Sequence, residues 1–461
     1  MNSPKVIVIG AGLAGCEATY WLASRKIAVD LYEMRPAKLT EAHLTGQFAE
    51  LVCSNSFKSL NPVTAPGILK REMEILGSLA IQSAKKSAIG AGEALAVNRE
   101  VFAKAMTDAI RALPNVRVYN EEILKIPEPD QVVILATGPL TSSALADSLK
   151  KIMETESFYF YDAISPIVDA DSLDRNIIFS ANRYGKETRS INGESPDENA
   201  DYLNCPMDRE QYENFVRLLL EGERVTSKDF EKVKHFEGCM PIEEMADRGK
   251  DTLRFGPMKP VGLIDPRTGK QAYAVVQLRP ENQSKTAYNL VGFQTKLKYG
   301  AQSSIFRTIP GLEKAEFLRL GSMHRNSFVD APRVLHLDLS LKHARHVHLA
   351  GQITGVEGYM ESAAIGMVAG MVAYAKIHQK PISLPPAASA FGALLHHLSN
   401  PEKTDFQPSG INFGLFEDKF FEKELAALRS RFPKKVPKED RRKMFAEASL
   451  ANIQNYWAQQ Q

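Results

Sequence analysis

Cysteine is scarce in this chain: four in 461 residues, Cys16, Cys53, Cys205 and Cys239, no two of them spaced as a CxxC half-site. That argues against a disulfide framework and a thiolate zinc site, and for a reduced, cytoplasmic protein whose cysteines are buried packing or individually reactive. An excess of charge is missing too. Lys and Arg number 57 against 55 Asp and Glu, a formal net charge of +2, so a polyanionic partner would have to be met by a local basic patch. No stretch approaches the ~20 apolar residues that span a bilayer, so no membrane partner is expected. The apolar run near the N-terminus leads straight into a glycine motif that needs it as a strand, which argues against a signal peptide. What remains, 44% hydrophobic and 24% charged, is the composition of a globular protein. It is too long for one core, since cores divide beyond about 250–300 residues.

What is present is a dinucleotide-binding signature on an α/β pattern. Lys5–Gly10 (KVIVIG) reads as a buried strand, Leu13–Arg25 has helical spacing with Leu13, Ala18, Trp21 and Leu22 for one face, and Ile27–Tyr32 reads as a second strand. Between the first two lies a GxGxxG, Gly10-Ala11-Gly12-Leu13-Ala14-Gly15. In such a unit the first glycine permits the tight turn, the second lets a pyrophosphate approach the backbone, and the third lets the helix pack on the strand. Glu33 closes the second strand, where a carboxylate accepts hydrogen bonds from both ribose hydroxyls, so FAD or NAD fits better than NADP. Two later strands, Gln131–Ala136 and His346–Ala350, also run into glycine, at Gly138 and Gly351. This late return to the fold suits FAD, with Gly351 and Gln352 delivering backbone groups to the flavin end.

Cys53 lies in FAELVCSNSFKS (Phe48–Ser59), where small polar residues mark an accessible loop. Cys239 follows Gly238 and precedes Pro241, on a glycine-flexed turn where a thiol can approach a ligand closely. Cys16 and Cys205 read as small buried hydrophobes. His343, His346 and His348 invite a metal, but in a strand only His346 and His348 share a face, and no acid or thiol stands at ligand spacing. No metal site is expected. Basic residues gather at Lys296–Tyr299 with Arg307, at His324–Asn326, and at Arg429–Lys443, where eight Lys and Arg face two acids. Such patches would bind RNA in a salt-sensitive way.

At VIGAGLAGCEA (Val8–Ala18), DLYEMRP (Asp30–Pro36), FAELVCSNS (Phe48–Ser56), FEGCMPIEEMADRG (Phe236–Gly249), LRFGPMKPVGLIDPRTGK (Leu253–Lys270) and LAGQITGVEGYMESAA (Leu349–Ala364) the chain closely resembles the folate- and FAD-dependent tRNA uracil-5-methyltransferases, the TrmFO family, relatives of the GidA flavoproteins. The resemblance runs nearly the whole length. It implies a Rossmann-type FAD-binding domain of the GidA and glutathione-reductase kind in two parts, 1–154 and 331–375. It further implies an inserted α+β domain for substrate or RNA at 155–330 and a helical C-terminal extension at 376–461. The implied enzyme takes a methylene group from methylenetetrahydrofolate, uses reduced FAD, and methylates C5 of a uridine in the T-loop of tRNA, with NADH or NADPH reducing the flavin. Cys53 and Cys239 match the family's two functional cysteines. Cys239 would add to uracil C6, and Cys53 would lie near the flavin and handle the one-carbon unit; the reverse division stays open. The chemistry needs such a thiolate, because C5 of uracil is too electron-poor to attack methylene until C6 is saturated.

Alternatives stand beside this reading: the same chemistry on a 23S ribosomal RNA uridine, or a non-methylating FAD oxidoreductase with the cysteines as a redox pair. No obligate protein partner is expected, since a GidA-like subunit working with a GTPase would carry a longer C-terminal helical domain. Ala91–Arg99 reads AGEALAVNR where the family usually has AGGALAVDR, and His43-Leu44-Thr45 replaces a paired histidine before threonine. These departures touch substrate contacts rather than the fold.

Overall fold

A computed structural model describes residues 5–460 apart from 41, 155–157, 164, 186–200, 226–233, 236–239, 283, 322 and 403–405, and for 158–163, 185, 234–235 and 323–326 it describes the backbone alone. The first glycine turn belongs to a six-stranded sheet. β1 (Lys5–Ile9) runs between β2 (Ala28–Tyr32) and Val132–Leu135, parallel to both, with Val8 opposite Leu31 on one side and Ile134 on the other. Val116–Tyr119 lies beyond β2 and Ala344–Leu349 beyond Val132–Leu135, again parallel, and the short strand Ser340–Leu341 turns back along the far edge. A central parallel strand is covered on both faces, which is why KVIVI is apolar throughout and does not alternate. Val6 and Val8 are fully buried, Ile7 and Ile9 nearly so. Because these strands run the same way, Gly10, Glu33, Gly138 and Gly351 all arrive at one edge of the sheet.

α1 (Leu13–Ala23) differs from the one-faced helix that the spacing suggests: every residue but Tyr20 is buried. The reason is a partner from far along the chain, the helix Tyr359–Ile377, which packs along α1 and also meets the strand Val132–Leu135. The two approach through small residues. A Cβ on Gly366 would stand 2.2 Å from the Ala14 carbonyl oxygen, and one on Gly370 would stand 3.1 Å from that of Ala18. Tyr359–Ile377 is itself a correction to the sequence reading, since by length and composition its 19 residues could cross a bilayer. Here it is a core helix, with all but a few of its residues buried.

The chain leaves this body through Phe158–Ala163 and returns through Met323–Phe328, an antiparallel pair in which Phe158 lies opposite Phe328. Between them is a second six-stranded sheet, in the order Phe179–Ser180, Leu203–Met207, Ala274–Pro280, Ala287–Leu290, Ile167–Asp169, Phe317–Arg319, antiparallel throughout. Its faces differ. Ala274, Val276 and Leu278 join Val168, Tyr288 and Leu290 in one apolar core with Tyr212 and Phe215, while Gln277 and Arg279 alternate to the other side. Tyr212 and Phe215 belong to the helix Arg209–Glu221, which starts on a capping box between Asp208 and Gln211.

The helices Ala390–Ser399 and Lys438–Ala458 fold back on the first body. The Glu72 carboxylate, fully buried, accepts the N–H groups of Ala390 and Phe391 at 2.9 and 3.1 Å. Trp457 lies 5.6 Å from Trp21, and the Arg25 guanidinium sits 3.5 Å above the Trp21 ring.

Candidate active site

The carboxyl edge of the first sheet opens into a cleft of about 1060 Å³, its mouth included, and Gly10, Gly12, Leu13, Ala14, Glu33, Gly138, Gly351 and Gln352 line it. Ala11 and Gly15 do not; they build the turn from behind. Gly10 has φ +99°, and a Cβ there would lie 2.6 Å from the Ala136 carbonyl oxygen, while one on Gly15 would lie 1.8 Å from that of Gly10. The turn closes only with glycine at both. Gly12 is different. Its backbone is ordinary (φ −72°), and a Cβ there would meet no atom within 4 Å. That open space, at the start of a helix with no side-chain cap, is what a pyrophosphate needs to meet the first-turn N–H groups.

Glu33 is more heavily engaged than the sequence suggests. Its Oε2 accepts the Ala11 N–H at 2.8 Å, and its Oε1 accepts the Arg35 N–H at 3.1 Å and Nε–H at 2.9 Å. A carboxylate has about four acceptor positions, so one remains for a ribose hydroxyl. Burial alone would raise its pKa, but the bonds and charge of Arg35 and the Ala11 N–H outweigh it and hold Glu33 below its ordinary value. Arg35, only 2% exposed, also donates to Glu50 at 3.2 Å, and Glu50 in turn accepts from Leu44, Thr45 and the Thr45 hydroxyl. Arg35 and Glu50 line the cleft and escaped the sequence reading, although Arg35 stands in the quoted DLYEMRP.

Cys53 stands just behind this cleft, whose wall includes its neighbour Val52 and Tyr359. Its loop is fastened from three directions. Tyr359 accepts the N–H groups of Cys53 and Ser54 on its hydroxyl at 2.9 and 3.1 Å. Arg99, first residue of the helix Arg99–Arg111, donates to the carbonyls of Leu51 (2.7 Å) and Cys53 (3.2 Å) while gripping Glu281 through two nitrogens. Arg279 donates to Asn55 and to the Ser54 hydroxyl, each at 2.8 Å. Burial, with Cys53 adding to it, pushes the Tyr359 phenol up, so it stays protonated. Burial works against the Arg99 cation, but the Glu281 carboxylate outweighs it and raises its pKa. The departure at Asn98 is conservative in structure, because its side chain caps the Arg99 helix by accepting from Glu100 and Val101.

Cys239 lies outside the described residues, as do the side chains of His324–Asn326. Cys16 and Cys205 are fully buried, and burial pushes both thiols up. His348 is buried with Nδ1 3.0 Å from the Asp338 carbonyl oxygen, and burial pushes its pKa down to about 4. Among the described residues no three His, Cys, Asp or Glu side chains could hold a metal ion together. The basic cluster at Lys296–Tyr299 has acidic neighbours. Lys296 pairs with Glu244, Lys298 with Glu223, and Arg307 donates to the Ala315 carbonyl. Lys434, Lys435 and Lys438 of the C-terminal stretch are exposed.

Residues 5–381 match the family model described as Glucose inhibited division protein A. The chain is 50% identical over 456 residues to the methylenetetrahydrofolate–tRNA-(uracil-5-)-methyltransferase TrmFO of Geotalea uraniireducens, covering 99% of each. It is 48% identical over 459 residues to that of Koribacter versatilis, again with 99% of each covered. Among solved structures it resembles Aquifex aeolicus GidA in its form II crystal with a TM-score of 0.67 at 16% identity, over 99% of this chain and 88% of that one. At that identity the likeness bears on the fold.

Proposed function

The chain belongs to the TrmFO family, within the wider GidA group, and from that premise we propose that it methylates C5 of a T-loop uridine in tRNA, with methylenetetrahydrofolate as one-carbon donor, FAD as resident cofactor and NADH or NADPH as reductant. The observation that carries this reading is the junction at Tyr359, one residue that both walls the dinucleotide cleft and holds the Cys53 loop. The cleft suits FAD. Gly12, Leu13 and Ala14 would meet the pyrophosphate, Glu33 the ribose, and Gly351 with Gln352 the flavin end. When bound, FAD supplies the electrons that convert a methylene into a methyl group.

The protein's own part is to make C5 nucleophilic and to hold the reactants. In this reading the Cys239 thiolate adds to C6, the C5=C6 pair moves toward C4 and its oxygen, and C5 can then attack the one-carbon unit. Cys53, held by Tyr359 and Arg99 at the cleft wall, serves that unit or takes the C5 proton. Cys239→Ala should keep FAD and its reduction by NADH, yet give no methylated RNA and no covalent adduct with T-loop RNA carrying 5-fluorouridine. Cys53→Ala should also lose methylation but keep the adduct. Should Cys239→Ala form the adduct while Cys53→Ala does not, the roles are exchanged. Methyl incorporation into unmodified tRNA and ribosomal RNA transcripts decides the substrate, and a protein active only on the latter refutes the tRNA assignment.

A further inference from the structure

The polar face of the insertion's sheet carries donors that no acceptor among the described residues meets. Register sets four residues in one row: Arg279 opposite Asn289, Asn289 opposite Ile167, and Ile167 opposite Arg319. Residues paired in this way share a face of the sheet. Arg279 shows which face it is, since its guanidinium reaches Ser54 and Asn55 beside Cys53. An irregularity between Phe317 and Arg319 completes the row. Phe317 stays opposite Val168 and packs on the apolar core, while Arg319, two residues on, pairs with Ile167 and turns to the polar side. Bulges of this kind re-aim side chains beside active sites.

Asn289 is 3% exposed. Its Oδ1 accepts from Arg279 at 3.4 Å, which orients the amide and leaves Nδ2 buried without an acceptor among the described residues. Arg319 is half-buried, and no hydrogen bond or ion pair engages it among the described residues. The groups whose charges act on it are Arg99, Cys53, Tyr359 and Glu281, the same set that fastens the thiol loop. A buried donor without an acceptor and a half-buried cation without an ion pair among the described residues are both costly, and the fold places the two in one row.

We propose that Asn289 and Arg319 form an oxyanion site for the target base, holding O4 of the uracil while a thiolate adds to C6. The proposal rests on the methyltransferase reading above. In that step the sulfur–C6 bond forms from the thiolate's electron pair, and the C5=C6 π pair moves through C4 onto O4. A neutral carbonyl becomes an enolate oxygen, with no leaving group and no change of oxidation state. Donors already aimed at the place where charge develops are what such a step uses. Ile167, half-buried and apolar, lies between the two. An RNA phosphate belongs in water at the surface, and the carboxylates of a folate lie at the end remote from its one-carbon group, so neither suits this buried row as well.

Arg319→Gln and Asn289→Ala in the full-length, FAD-loaded protein test this. Arg319 makes no hydrogen bond or ion pair among the described residues, so Arg319→Gln should keep or raise Tm while kcat for methyl transfer falls by about 10²–10³-fold, as when an oxyanion donor is removed. KM for tRNA and for methylenetetrahydrofolate should hardly move, and Arg319→Lys should recover part of the rate. Putting 4-thiouridine, a weaker hydrogen-bond acceptor, at the target should shrink the ratio of wild-type to Arg319→Gln rate below its value with uridine. A loss that saturating folate restores makes this a folate contact and overturns the proposal. So does a raised KM for RNA with the salt slope reduced by about one, which marks a phosphate contact. So does an unchanged kcat. A wild-type protein that forms no adduct with 5-fluorouridine RNA and methylates nothing overturns the enzyme reading and this site with it, and that result is visible before any variant is made.

Discussion

A methyl group added at Gly12 meets nothing within 4 Å, whereas one added at Gly10 comes within 2.6 Å of a carbonyl oxygen. Gly12→Ala should therefore fold with an unchanged Tm and take up FAD poorly, while Gly10→Ala should lose the turn and the fold around it. Thermal melts read beside flavin absorbance separate the two, and a Gly12→Ala protein as yellow as the wild type would remove the pyrophosphate from that spot. Glu33→Ala is expected to weaken FAD binding by roughly 1.5–3 kcal/mol, the worth of a charge-assisted hydrogen bond, measured by titrating the apoprotein. Its pH dependence has a definite sign. Glu33 is held below its ordinary value of 4.5, so its contribution is complete above that value and is lost as pH falls through the depressed one. Acid release of FAD through this residue should begin only below about pH 4.5. The position of Glu33 was legible because a strand–turn–helix–strand fixes it by local spacing. Its engagement with Arg35 and Ala11 was not, because spacing says where a carboxylate stands and not which donors reach it first.

Elements depend on partners that spacing cannot name. The helix after the glycine turn was readable from its own period, but its burial on all sides needs the helix Leu79–Lys86 and, more than three hundred residues later, Tyr359–Ile377. The alternation in AVVQLRP (Ala274–Pro280) acquires meaning in the same way, once its apolar side meets one core and its polar side meets the Cys53 loop. The helix pair makes a sharp prediction. With 2.2 Å between an added Cβ and the Ala14 oxygen, Gly366→Ala should cost about 1–3 kcal/mol of stability through overpacking. It should also loosen FAD, because Ala14 lines the cleft. Gly300, in the helix Tyr299–Phe306, is the control: a Cβ there meets nothing within 4 Å, so Gly300→Ala should be neutral or stabilise by up to about 1 kcal/mol. Urea midpoints of the two variants distinguish them.

Two buried carboxylates, far apart in the chain, make stability fall as pH rises. Burial pushes Glu17 up to about 7 and Glu72 up to about 8, even though each accepts backbone N–H groups at the start of another helix. Both folded values exceed the unfolded value of 4.5, so the folded state binds more protons across this window. Their stabilising effect is complete below about pH 4.5 and is lost as pH rises through 7 and then 8. Other buried groups, His348 and Lys70 among them, act with the opposite sign, so the test is a difference: the urea midpoint of Glu72→Gln relative to the wild type should rise from pH 5 to 8, and a difference that falls contradicts the assignment. On the same scale the insertion has a property of another kind. Its first and last strands are neighbours, with Phe158 facing Phe328, so the whole run between them is an excursion that begins and ends at one place. In the terms of chain topology, the first body is a host and the insertion its guest. The guest could be exchanged at that doorway without re-routing any strand of the host. Apart from the doorway, guest and host meet at the thiol loop, through Arg99 with Glu281 and Arg279 with Asn55, and again at Ala91 and Gly92, which bond Tyr202 and Asp201. A small rotation of the guest would therefore reach the loop that carries Cys53 directly.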